Sequence, residues 1–235
     1  YAVVAYQTAY LKYYHPVEYM AALMTSVIDN PGKVAEYIYS CRQMGIKILP
    51  PDINRGVGNF SVDNGNIRYG LAAIKSIGCP VIESIIEERR LRGEFKNLKD
   101  FIERLSNKEV NKRTVENFIK SGAFDSLKGT RKQLMMIYIR VMDQVNQEKK
   151  YSMTGQMSLF DIVDEEQKKE FEITMPDVGE YQKETLLAFE KEVLGVYLSG
   201  HPLEEYEEKW RNNISTTTQD FQLDEETGVT KVRDG

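Results

Sequence analysis

Hydrophobic positions recur every three to four residues along most of this chain, which is the spacing of an amphipathic α-helix. The first 28 residues carry two such stretches, separated by His15-Pro16. Proline suits the first turn of a helix and pushes the residue before it out of the helical region, so this pair predicts a helix boundary and a structural role for the histidine. A third helix is predicted to follow Asn30-Pro31-Gly32 and to end near Gly45.

One stretch departs from helical spacing. Ile46-Lys47-Ile48-Leu49 alternates like a short strand and runs into Pro50-Pro51, which forms a rigid extended exit. Beyond it, residues 59–62 and 67–69 flank Asp63-Asn64-Gly65-Asn66, and an Asn-Gly pair is a strong hairpin signal. The pattern therefore predicts a mainly α-helical chain with one small β-hairpin.

The segment from Leu71 to Gly78, with the helix predicted after it, has the spacing of a helix-hairpin-helix motif. Such a hairpin usually alternates hydrophobic residues with glycines, and the amides that begin its second helix point at a DNA phosphate. Ser76 stands at the first glycine position, where it can cap a helix but is not expected to relax the backbone as glycine would. The candidate DNA contacts are Lys75, Ser76, Ile77 and Gly78, and a plain helical turn is the alternative.

A second copy of this arrangement follows. Helices are predicted over residues 98–105 and 111–119, and Ser121-Gly122-Ala123-Phe124-Asp125 forms the turn after them. A tandem pair would straddle a duplex and hold both backbones without reading bases. A basic cluster alone is more often a solvated helix face. The further DNA-binding candidates are Lys112, Arg113, Ser121 and Gly122, with Lys120 nearby.

Two more long helices are predicted, from Thr130 to about Lys150 and from Tyr181 to Leu198, followed by a short one from Glu204 to Trp210. Residues 151–180 have little periodicity and many acidic residues, which predicts a flexible linker. An exposed Leu-Phe pair in such surroundings favours a protein partner. Glutamine followed three residues later by Leu-Phe is the pattern of bacterial proteins that dock on the ring-shaped DNA sliding clamp. The residues concerned are Gln156, Met157, Ser158, Leu159 and Phe160.

Composition limits the class of protein. The 235 residues are 41% hydrophobic and 29% charged, which is typical of a soluble globular protein. No apolar run approaches the roughly 20 residues of a membrane helix, and no leader pattern opens the chain, so we expect a cytoplasmic protein without membrane contact. Because the net charge is −5, any DNA-binding face must be local.

The cysteines and the chain ends carry further expectations. Cys41 and Cys79 are far apart and form no Cys-x-x-Cys pair, which favours reduced thiols over a metal site or a disulfide. The chain begins with Tyr1 and stops at Gly235 in what resembles the start of a strand, so we expect a piece of a longer protein.

Five segments together resemble a known family. In order, they are Ala2 to Lys12 with His15 to Met20, Ile48 to Asn54, Tyr69 to Gly78, Ser121 to Asp125, and Glu190 to Leu203. They are similar to the alpha subunits of bacterial DNA polymerase III, and the resemblance covers nearly the whole chain. It implies the following division: residues 1–56, end of the polymerase fingers; 57–150, tandem helix-hairpin-helix domain; 151–180, linker with the clamp-binding motif; 181–212, helical connection; 213–235, start of an OB-fold.

The resemblance also implies a function. The chain would bind duplex DNA non-specifically and dock on the sliding clamp, the beta subunit, to make synthesis processive; other subunits of the holoenzyme would bind the longer protein. The catalytic aspartates and their Mg²⁺ ions are expected in a palm domain that precedes Tyr1, so no catalytic residue or cofactor is assigned here and the fragment should be inactive alone. Asp52 and Asn54, which match a family segment, are interpreted as turn formers.

Two other classes remain open from the sequence. A standalone helix-hairpin-helix DNA-repair or junction-binding protein would also carry the hairpins, yet it would not need the fingers-like first segment. A pure adaptor protein that binds the clamp would have no affinity for DNA. Salt-dependent binding to duplex DNA separates the adaptor from the others.

Overall fold

A computed structural model of the chain describes residues 1–105, 110–154, 173–206, 209 and 212–216. The chain divides into two compact units, Tyr1–Ser199 and Gly200–Gly235. The first unit is mainly α-helical, as predicted; the second has a described 3₁₀ turn at Glu204–Tyr206. The predicted clamp-binding motif and residues 217–235, which make up most of the predicted OB-fold start, lie outside the described residues.

The first unit begins with three helices whose boundaries follow the predicted signals. They are α1 (Ala2–Tyr14), α2 (Pro16–Ser26) and α3 (Pro31–Gln43). His15 has φ −134° and ψ 55°, outside the helical region, because Pro16 follows it. The Asn30 side chain caps α3 by accepting a hydrogen bond of 3.1 Å from the Lys33 amide.

A small sheet follows the third helix. Its strands are β1 (Ile48–Leu49), β2 (Ser61–Asp63) and β3 (Asn66–Arg68), in the order β1-β3-β2. The predicted hairpin is confirmed, because β2 and β3 are antiparallel and both Asn64 and Gly65 have the positive φ of a type I′ turn. The predicted strand near Leu49 joins this hairpin as a parallel neighbour of β3, which makes the sheet larger than expected.

The rest of the first unit is helical. After a 3₁₀ turn at Leu71–Ala73 come α4 (Cys79–Arg92), α5 (Leu98–Leu105), α6 (Lys112–Ser121), α7 (Arg131–Thr154) and α8 (Lys183–Leu194). Helix α8 ends before the predicted Leu198 because Gly195 takes the left-handed conformation, φ 75°, and its amide bonds back to the Lys191 carbonyl.

Aromatic side chains form the centre of the core around α5 and α6. Phe101 of α5 lies edge-on to Phe124, with ring centroids 4.9 Å apart, and its centroid is 5.9 Å from that of Phe118 in α6. All three side chains are fully buried. Burial of such a side chain contributes about 1.5–3 kcal/mol, so these contacts fix α5, α6 and the turn after α6 as one rigid block.

The described end of the predicted linker is held against α7. The Glu180 carboxylate accepts hydrogen bonds from the amides of Arg131 (2.8 Å) and Lys132 (3.1 Å) at the start of that helix. The Gln133 amide donates to the Pro176 carbonyl at 2.9 Å. A negative charge is favourable at a helix N-terminus, so Glu180 both caps α7 and anchors the segment before α8.

Within the part of the chain that the structure describes, no helix is both long enough and apolar enough to cross a bilayer.

Candidate nucleic-acid interface

A groove of about 660 Å³ lies between the turn before α4 and the exposed face of α6. We refer to it as the hairpin groove. Four of the predicted DNA contacts line this groove: Lys75 and Ser76 from the first predicted hairpin, and Lys112 and Arg113 from the second. Among the residues that the structure describes, its lining consists of Lys75, Ser76, Lys112, Arg113, Glu116, Asn117, Lys120, Glu192 and Val193.

The first hairpin turn depends on an unusual serine. Ser76 has φ 63°, which lies in the left-handed region that non-glycine residues rarely adopt. Serine therefore takes the conformation that the usual glycine would supply, at a cost of about 1–2 kcal/mol. This strain agrees with the expectation that Ser76 does not relax the backbone as glycine would.

The two residues after Ser76 have different environments. Ile77 is buried in the core, whereas Gly78 is exposed and precedes the first turn of α4. Backbone amides and the helix dipole favour an anion at such a position. Pro80 lies in this first turn and has no N–H, which reduces the number of donors that α4 could offer.

Helix α6 presents the basic residues of the second predicted hairpin. The Asn111 side chain accepts a hydrogen bond of 3.0 Å from the Thr114 amide, so the helix starts at Lys112. Residues three or four apart then share one face, which brings Lys112, Glu116 and Lys120 together. Cations in the first turn are disfavoured by the helix dipole, so helix stability does not explain Lys112 and Arg113.

Most of the groove cations contact protein oxygens. The Lys112 ammonium lies 3.0 Å from the Asp143 carboxylate, and both side chains are half exposed. Lys120 pairs with Glu116 at 2.9 Å and with Glu192 at 2.8 Å. Burial acts to lower the pKa of Lys120, but the two carboxylates together outweigh it and raise the pKa, so this lysine stays charged.

Lys120 also lines the groove, although it was not among the predicted DNA contacts. Its spacing from Glu116 and Lys112 places it on the groove face of α6, and that helical spacing is the signal that could have identified it.

Ser121 and Gly122 are not brought into the groove. The Ser121 side chain is fully buried and donates a hydrogen bond of 3.0 Å to the Phe118 carbonyl. Gly122 ends α6 in the left-handed conformation, φ 82°, where an added Cβ would collide with the Arg131 guanidinium. That guanidinium binds Asp125 through two hydrogen bonds, of 2.9 and 2.6 Å, so this turn joins α6 to α7.

Asp52 and Asn54 form a structural turn, as interpreted. Asp52 accepts hydrogen bonds from the Asn54 amide at 2.7 Å and from the Ser126 hydroxyl at 3.1 Å. The Asn54 side chain bonds the Phe95 backbone in both directions, at 2.9 and 2.8 Å. Among the described residues, no group of three or more His, Cys, Asp and Glu is placed to hold a metal ion.

Comparisons with known proteins agree with this architecture. Residues 45–134, which contain α4, α5 and α6, match a family described as helix-hairpin-helix motif. Over 207 residues, 88% of its length, the chain is 42% identical to the DNA polymerase III subunit alpha of Escherichia coli (strain K12) and to that of Vibrio cholerae, and it covers 18% of each. It is 41% identical over 203 residues to the Mycobacterium leprae protein of the same name, with 86% of the chain matched and 17% of that relative covered. The chain thus spans less than a fifth of the curated relatives that it matches.

Proposed function

The chain is a homologue of the bacterial DNA polymerase III alpha subunits, and on that premise we propose that it holds duplex DNA for such a polymerase and tethers it to the sliding clamp. The observation that carries the DNA-binding part is the hairpin groove. Four cationic side chains from two hairpins converge there, namely Lys75, Lys112, Arg113 and Lys120.

Phosphate contacts would supply the affinity for DNA. Ammonium and guanidinium groups in one groove match the repeated negative charges of a duplex backbone, and exposed backbone at Ser76 and Gly78 offers a further approach for a phosphate. Such contacts fix the position of the duplex and carry no sequence information. We therefore expect binding that does not depend on sequence, as a polymerase requires.

The clamp-docking part is supported by the sequence. Leu159 and Phe160 would each contribute about 1.5–3 kcal/mol on full burial in an apolar pocket of the clamp. Hydrogen bonds from Gln156 would fix the register of the peptide. Because ordering the peptide offsets much of this energy, we expect an affinity of about 1 μM for the segment alone. Bound DNA would raise the effective concentration of the clamp and prolong the contact.

The longer protein would be a DNA-directed DNA polymerase, a nucleotidyltransferase of DNA replication. In the resembling family, palm aspartates hold two Mg²⁺ ions that stabilise the attacking and leaving oxygens. No residue of the present chain is assigned to that chemistry, so the chain alone should not extend a primer. The remaining subunits of the holoenzyme would contact the longer protein, in the cytoplasm.

A salt titration with duplex DNA tests the DNA-binding part. Each neutralised phosphate contributes about −0.9 to the slope of log K against log salt concentration, so four contacts predict a slope of up to about −3.6. Affinities for duplexes of different sequence should agree. Absence of binding at low salt would favour a pure protein adaptor, and strong preference for one sequence or junction would favour a standalone repair protein.

A further inference from the structure

The last turn of α8 contributes an acid to the hairpin groove. The Glu192 carboxylate lies 2.8 Å from the Lys120 ammonium, and the Glu192 carbonyl accepts a hydrogen bond of 2.7 Å from the Lys75 ammonium. The same residue therefore contacts a cation from each hairpin. It supplies these contacts from a helix that is distant in sequence from both of them.

The contacts of Glu192 resemble those that a DNA phosphate would make. A carboxylate oxygen and a phosphate oxygen are both anionic acceptors at similar distances from an ammonium group. Both cannot take the same position beside Lys120, because like charges at such a distance repel. A DNA phosphate that takes the position of the Glu192 carboxylate beside Lys120 must therefore displace the Glu192 side chain.

The surroundings allow that displacement without unfolding. The Glu192 side chain is 57% exposed, whereas its neighbours Glu190, Val193 and Leu194 are buried and keep α8 in place. Glu116 also pairs with Lys120, at 2.9 Å from one turn earlier in α6, and would keep the lysine oriented when Glu192 leaves.

We propose that Glu192 is an intramolecular competitor for the DNA phosphate at Lys120, and that it weakens the grip of the hairpin groove on the duplex. This inference rests on the proposed DNA-binding function. A polymerase that must advance along its template needs contacts that break readily, and an internal anion at the phosphate position shortens each contact. The affinity for DNA thus depends both on the groove cations, which raise it, and on Glu192, which lowers it.

The test compares Glu192→Gln with the unchanged chain in titrations with one duplex DNA. The glutamine keeps the shape of the side chain and removes the competing charge, so the dissociation constant should fall about two- to fivefold at low salt. The gain should shrink as salt rises, because the displaced interaction is electrostatic and lies at the surface. Introduced together with Lys120→Gln, the same substitution should give little gain, since the contested cation is gone.

Glu184→Gln is the matched control. Glu184 lies in the first turn of α8, is exposed, and is about 12 Å along the helix from Glu192, so its removal changes the net charge equally without touching the groove. Equal DNA affinities of Glu184→Gln and Glu192→Gln would overturn the competitor role. A gain in DNA affinity from Glu192→Gln that persists in the Lys120→Gln background would overturn it as well. If neither the unchanged chain nor any of the variants binds duplex DNA, the proposed function itself fails.

Discussion

The Asn117 side chain in α6 donates a hydrogen bond of 2.7 Å to the backbone carbonyl of Lys75, which lies in the first hairpin turn. Asn117 is almost completely buried. This bond fixes the turn before α4 onto α6, and it therefore sets the spacing of the cations across the hairpin groove. A groove arranged before DNA arrives binds more tightly, because less ordering is needed on binding.

Asn117→Ala should weaken both the fold and DNA binding. The substitution leaves a Lys75 carbonyl without its donor, which costs about 1–3 kcal/mol, and we expect that loss in the free energy of unfolding measured with urea. The affinity for duplex DNA should fall because the two hairpins are no longer held together. Asn117→Asp keeps the shape without the N–H donor and should lose at least as much stability, because its buried carboxylate would face the Lys75 carbonyl oxygen. Unchanged stability of both variants would show that the bond does not join the hairpins.

Ser76→Gly should preserve the first hairpin, whereas Ser76→Val should disrupt it. Ser76 is held at φ 63°, where glycine is unstrained and a β-branched residue is not tolerated easily. Glycine relieves the backbone strain of the folded chain but gives the unfolded chain more freedom, and these two effects nearly cancel. The free energy of unfolding of Ser76→Gly should therefore stay within about 1 kcal/mol of that of the unchanged chain. Ser76→Val should lower the free energy of unfolding by about 1–3 kcal/mol. Urea unfolding compares the three chains, and a valine variant as stable as the unchanged chain would contradict the turn geometry.

The basic first turn of α6 should matter for DNA and not for the fold. Lys112→Ala with Arg113→Ala removes two phosphate contacts, so the slope of log K against log salt should become less negative by up to about 1.8. Affinity should fall evenly across duplexes of different sequence. A loss confined to one sequence would mean that these side chains read bases.

Lys33→Ala with Arg90→Ala is the control for that double variant. Both side chains are exposed and lie outside the groove lining, so the same charge is removed elsewhere. Binding should change little. An equal loss in the control would assign the effect to net charge rather than to the groove.

Local sequence signals were enough to predict the helices and strands, whereas the arrangement of the hairpin groove depends on contacts between residues that are far apart in the sequence. Pro16 and the Asn64-Gly65 pair act on their immediate neighbours, so the helix boundary and the hairpin could be predicted from the sequence. Lys75 accepts a hydrogen bond from Asn117, 42 positions away, and donates one to Glu192, 117 positions away, and no local pattern indicates either bond.

The same distinction explains Ser121 and Gly122. Small residues in a turn predict its shape but not whether it faces solvent, and here the packing of Phe124 and Arg131 buries it. The cations of α6, in contrast, could be selected because helical spacing alone places them on one face.

The two cysteines should differ in reactivity. Cys41 is buried, and burial raises the pKa of its thiol to about 11, whereas Cys79 is exposed. Only the thiolate reacts rapidly, so at pH 8 a thiol-specific reagent should modify Cys79 and leave Cys41 protected until the chain unfolds. Mass spectrometry of the modified peptides measures this.

The buried thiol should also make stability depend on pH. As pH rises from about 9 towards 11, the Cys41 thiol loses its proton more readily in the unfolded chain than in the folded one, so the free energy of unfolding should decrease in that window. In Cys41→Ala the free energy of unfolding should change less over the same pH range.

Leu159→Ala with Phe160→Ala should abolish binding to a purified bacterial sliding clamp and leave duplex DNA binding unchanged. The two apolar side chains would supply most of the peptide's binding energy, while DNA binding is assigned to the cations of the hairpin groove, Lys75, Lys112, Arg113 and Lys120. Ile162→Ala with Val163→Ala truncates another apolar pair in the same segment and should retain clamp binding. Pull-down with immobilised clamp and DNA titration separate the two activities. Clamp affinity that survives the first substitution would refute the docking motif, and a parallel loss of DNA binding would show that the two contacts are not independent.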